Sequence, residues 1–99
     1  MNTAGENGAS PDALAMGRTA IEQVDRAILR LVAERVQLCE SIAAAKRAAG
    51  LPLLDPAQEA RVVRRAAELA REAALPEEAV RDLFWRIISL TRHAEDRTA

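Results

Sequence analysis

A long apolar seam runs through the first half of this chain and limits what it can fold into. Ile21, Val24, Ile28, Leu31, Leu38, Ile42 and Ala45 recur mostly at spacings of three and four, the period of one helix face. From about Leu14 to Ala49 there is no Pro and a single Gly, Gly17. The spacing predicts one long helix, ended by Gly50-Leu51-Pro52, with Gly at the stop and Pro just beyond. Such a helix spans roughly 50 Å, whereas a compact domain of this size has a radius of gyration of about 13 Å. The remaining chain is too short to cover that rod. A second copy is therefore expected to cover the seam, most simply in a twofold dimer.

The rest of the chain predicts two shorter helices. Asp55-Pro56-Ala57-Gln58 is a helix start. Asp55 suits the cap, Pro56 the first helical position, and Gln58 can complete a capping box. Val62, Val63, Ala66, Leu69, Ala70 and Ala73 form the apolar face of helix two. Ala74-Leu75-Pro76 breaks it. Helix three is expected from about Pro76 to Arg92 or beyond, with Val80, Leu83, Phe84, Ile87 and Ile88 on its stripe. Residues 1 to about 13 are rich in Gly, Asn, Ser and Pro and read as a disordered tail. Residues 14–97 then form a single all-α domain of three helices, with no internal repeat.

Charge and composition narrow the function. The net charge is -1, from 14 basic and 15 acidic residues, which leaves no footprint for nucleic acid or an anionic membrane. The N-terminus lacks the basic-then-apolar run of a signal peptide, and no apolar run is long enough to span a bilayer. A cytoplasmic protein is expected. Cys39 is the single cysteine, so no intramolecular disulfide forms and no cysteine cluster binds a metal. No Gly-rich phosphate loop, metal-ligand spacing or local nucleophile–base arrangement is present.

Chemistry enters where polar residues stand at apolar positions. The seam continues from Leu31 to Arg35 before reaching Leu38. A cation there is costly to bury unless an anion meets it. Lys46 follows on the same face, about 16 Å along the axis, and the small Cys39 and Ala43 between them leave room for an anion. Structural roles remain open for both: a register device or a partner carboxylate for Arg35, and the negative helix end for Lys46. On helix three, Thr91 and Glu95 extend the stripe from Ile88. Thr91 can bond back into its own helix, and Glu95 can lie in water at a frayed end. Gln58 and Glu59 suit the first turn of helix two as cap and as complement to its positive end. Arg18 alone reads as a surface charge, His93 as solvated, Trp85 as packing and Cys39 as a small core residue.

Taken together, these residues resemble a known family. IEQVDRAILRLVAERVQLCESIAAAKRAAGLPLLDPAQE and LFWRIISLTRHAE look like the signature of the helical chorismate mutases, through Ile21, Asp25, Leu31, Arg35, Lys46, Asp55 and Glu59. The resemblance covers about residues 14–97. It implies an intertwined six-helix homodimer with two sites that bind a small dicarboxylate and need no cofactor. Arg18 would reach a substrate carboxylate across the interface, and Arg35 would bind carboxylates within its own chain. Lys46 would contact the ether oxygen and a carboxylate. Glu59 and the backbone at Asp55 would hold the ring hydroxyl. Thr91 would lie near the ring carboxylate and Glu95 would bond the ether oxygen. The implied activity is rearrangement of chorismate to prephenate.

Two positions depart from the family pattern. Gln58 stands where the family usually has Arg. Beside the anionic Glu59, a neutral residue would suit an ammonium on the ring, so 4-amino-4-deoxychorismate is the alternative substrate. Glu95 replaces Gln in much of the family and implies sensitivity to pH. Isochorismate pyruvate lyase activity and a non-catalytic helical dimer are further alternatives on the same fold.

Overall fold

A computed structural model describes residues 10–97. Among them are three helices and no strand: α1 (Pro11–Ala48), α2 (Pro56–Glu72) and α3 (Glu77–Arg97). Helix α1 starts three residues before the expected Leu14. The Ser10 Oγ accepts from the Ala13 N–H at 3.1 Å, Pro11 takes the first helical position and Asp12 lies in the first turn. Ser-Pro-Asp is thus a helix start inside what reads as tail. The remainder of the expected tail, residues 1–9, lies outside the described residues.

The chain divides into two units, residues 1–33 and 34–99. The described part of the first is helix alone. Leu14, Met16, Ile21, Val24, Ile28, Leu29 and Leu31 are all exposed on it. Among the described residues, that unit has no other element to cover them.

The second unit holds the end of α1 with α2 and α3. Helices α2 and α3 pack closely against each other. Their contact is lined by small side chains, with Val63, Ala66, Ala67 and Ala70 buried on α2 and Ile88 and Thr91 on α3. Small residues at a helix crossing let the backbones approach. Ala43 of α1 is also buried, but no large side chain is fully enclosed. The apolar faces are narrower than the sequence suggests. Leu69, Leu83 and Trp85, expected to pack, are exposed, while Val63, Ala66, Ala67, Ala70, Ile88 and Thr91 make up the buried face.

Each junction has an identifiable cause. At the end of α1, Gly50 adopts φ 70°. Its N–H donates to the Arg47 carbonyl at 3.1 Å, and the Leu51 N–H donates to Lys46 at 2.8 Å, the paired bonds of a left-handed helix stop. The same pattern ends α2, where the Ala74 N–H donates to Arg71 at 3.2 Å and the Leu75 N–H to Ala70 at 2.8 Å. There the left-handed residue is Ala74, at φ 59°. Asp55 caps α2 as expected, its Oδ1 accepting from the Gln58 N–H at 3.1 Å. The reciprocal half of the capping box is replaced, since the Gln58 Oε1 accepts from Arg61 Nε at 3.0 Å. None of the described helices is long and apolar enough to cross a membrane.

Candidate functional site

Within the second unit, the end of α1 meets the α2–α3 pair around a half-open cavity of about 220 Å³. Helix α1 lines it with Arg35, Cys39, Ile42 and Lys46, a face that repeats at helical spacing. The α1–α2 connection adds Leu53 and Asp55, and the first turns of α2 add Gln58, Glu59 and Val62. Ile88, Thr91, Arg92 and Glu95 form the wall from α3. Seven of the eight residues singled out in the sequence therefore converge: Arg35, Lys46, Asp55, Gln58, Glu59, Thr91 and Glu95. The eighth, Arg18, is exposed on the first unit's part of α1 and does not line this cavity.

The two cations on α1 are half-buried and touch neutral groups. Arg35 donates from Nη1 to the Cys39 Sγ at 3.8 Å, a weak contact with a poor acceptor. Lys46 donates from Nζ to the Leu53 carbonyl at 3.0 Å, which draws its ammonium to the α1–α2 connection. Among the described residues neither makes a salt bridge. Cys39 is part of the cavity wall rather than the core, because it lies on the α1 face between these two cations.

The other walls are differently engaged. Thr91 is 4% exposed, and its hydroxyl donates to the Ile88 carbonyl at 2.8 Å. That bond uses the proton and leaves lone pairs on Oγ1. Glu95 is half-buried on the wall. Its backbone carbonyl accepts from Arg47 Nη2 at 3.1 Å, tying α3 to the end of α1. Glu59 is held by Arg92, whose Nε donates to Oε2 at 2.8 Å and whose Nη2 donates to Oε1. His93 is exposed, as expected.

Arg92 was not singled out from the sequence. Its signal lay in the α3 stripe, because it follows Ile88 by four residues and so shares the face that carries Thr91 and Glu95. The Leu53 carbonyl that receives Lys46 had no sequence signal, since any residue supplies a carbonyl. Among the described residues, no three His, Cys, Asp or Glu side chains group to hold a metal ion.

Fold and cavity thus define, among the described residues, an all-helical protein with a pocket lined by both cations and carboxylates. The chain matches the chorismate mutase type II family over residues 17–96, and it belongs to that family, which is one of isomerases. It is 37% identical over 59 residues to a chorismate mutase of Methanocaldococcus jannaschii, a match covering 60% of each chain. It is also 37% identical over 51 residues to a 3-dehydroquinate dehydratase of Pyrobaculum aerophilum, covering 52% of this chain and 17% of that one. These matches span less than two thirds of either relative. No solved structure matches the chain significantly.

Proposed function

We propose that this protein rearranges chorismate to prephenate in the cavity between α1, α2 and α3. The observation that carries this is the pair Arg35 and Lys46, half-buried cations that line one cavity and, among the described residues, hydrogen-bond to neutral groups. A cation placed so is poised for an anion. A small dicarboxylate matches two of them at helical separation. Family membership and the chorismate mutase relative support the same substrate.

The rearrangement is unimolecular, so the protein's task is to hold and to stabilise. Arg35 and Lys46 fix the carboxylates and keep the flexible diacid in its folded, near-attack conformer. As the ether bond breaks, negative charge grows on its oxygen. The Lys46 ammonium stabilises that charge more than it stabilises the ground state, and the Glu95 carboxyl group bonds the same oxygen. Thr91 lies near the ring carboxylate, and Glu59 with the Asp55 backbone meets the ring hydroxyl.

Arg18 completes the site from a second copy, in a dimer built on α1. The exposed Ile21, Val24, Ile28 and Leu31 support that assembly. Burying them against their equals removes apolar surface from water at about 25 cal/mol per Å².

A second substrate, 4-amino-4-deoxychorismate, is favoured by Gln58, which is neutral and engaged with Arg61. The test is to follow the purified chain with either compound by proton nuclear magnetic resonance. Conversion of chorismate to prephenate without added cofactor is expected. Conversion of neither would overturn the proposal.

A further inference from the structure

Arg92 and Glu59 face each other across the α2–α3 side of the cavity. The guanidinium grips both carboxylate oxygens, through Nε and Nη2, and Arg92 itself lines the cavity. The Glu59 side chain is 16% exposed and that of Arg92 is 47% exposed. The fork therefore stands partly out of water, with the carboxylate on its inner side. Fork-shaped pairing of this kind fixes orientation as well as charge. The neighbouring Gln58 contributes no charge, and its side-chain oxygen is engaged with Arg61. The cation beside Glu59 thus comes from α3.

This changes what Glu59 offers to a ligand. An unpaired carboxylate would attract an ammonium. A carboxylate held by a guanidinium is neutralised, and it presents an incoming ammonium with a like charge next to it. A hydroxyl has no such conflict, because it donates to a carboxylate lone pair without adding charge.

We propose that Arg92 is a specificity-determining residue, which by holding Glu59 makes the cavity select a ring hydroxyl over a ring ammonium. This rests on the reading that Glu59 meets the ring substituent of a chorismate-like substrate. It makes chorismate, rather than its 4-amino analogue, the preferred compound, despite the neutral Gln58.

The experiment compares kcat/KM for chorismate and for 4-amino-4-deoxychorismate in wild type, Arg92→Gln, Arg92→Lys and the double variant Gln58→Arg/Arg92→Gln. Circular dichroism checks that helix is retained. Wild type should favour chorismate. Arg92→Gln should lower the ratio of the two constants about tenfold, the scale of one partly screened charge contact. Arg92→Lys should keep most of the preference. The double variant should restore it by supplying a guanidinium from α2. If Arg92→Gln does not fold, Arg92→Met, which keeps the apolar stem without the charge, provides the reading and should lower the ratio equally. An unchanged ratio in a folded Arg92→Gln, or no restoration in the double variant, would overturn the inference while leaving the mutase proposal intact. Turnover of neither compound by wild type would overturn both.

Discussion

Glu95 lines the cavity half-buried, and only its protonated form can donate a hydrogen bond to an ether oxygen. A carboxylate would repel that oxygen as it gains charge. Glu95→Gln places an amide donor there and should keep turnover, whereas Glu95→Ala removes the side chain and should lower turnover roughly tenfold or more, without loss of fold. Wild-type turnover in a folded Glu95→Ala would show that Glu95 does not serve the ether oxygen. The site's cations were legible in the sequence because Arg35 breaks an otherwise apolar seam and Lys46 shares its face. Arg92 was harder to see. It sits among polar residues near a chain end, and its importance comes from a contact 33 residues away in sequence. Gln58 was legible only in part: its N–H does bond to Asp55, but its side chain turns to Arg61 instead of completing the box.

The element ends make their own predictions. Ala74 occupies the left-handed position at the end of α2, where a Cβ is strained. Ala74→Gly relieves the strain, less the entropy glycine adds to the unfolded chain. A gain of about 0.5–1 kcal/mol is expected, visible as a rise of a few degrees in Tm. Equal or lower stability would mean that the turn tolerates the Cβ. A few residues along, Arg71 donates to Glu77 from Nε and Nη2 at 2.9 and 3.2 Å, clipping the end of α2 to the start of α3. The hydrogen bond from Arg71, with its charge, holds the Glu77 carboxyl below the usual carboxylate range. A depressed carboxyl contributes stability above its unfolded-state range and loses it as pH falls through its folded-state range. Arg71→Ala should lower Tm slightly at neutral pH, with the difference closing in acid. A difference independent of pH would point to lost packing of the arginine stem. Gly50-Leu51-Pro52 and Asp55-Pro56 marked two of the helix ends from sequence because each carries its own backbone chemistry. Ser10-Pro11-Asp12 carries the same chemistry, but the polar composition around it reads as tail.

For the molecule as a whole, the account requires two chains. The proposed dimer predicts that light scattering finds twice the monomer mass at micromolar concentration. A stable folded monomer would contradict it. It also predicts complementation, since Arg18→Ala and Lys46→Ala variants should each be impaired alone. Mixed and re-equilibrated, half the dimers are hybrids with one intact site, so about a quarter of wild-type turnover should return. The exposed seam that motivates the proposed dimer is plain in the sequence. How its second copy sits depends on packing between chains that no single-chain pattern encodes. In the proposed reaction, two half-buried cations on one helix face hold chorismate as it rearranges. That role is tested most directly by the rate of chorismate consumption in wild type, Arg35→Ala and Lys46→Ala, with helix content followed in parallel. The account predicts that wild type converts chorismate and that each variant loses at least about a hundredfold in kcat/KM, the scale of one lost charge-stabilising donor, with its helical signal unchanged. Near-wild-type turnover in both folded variants would contradict it.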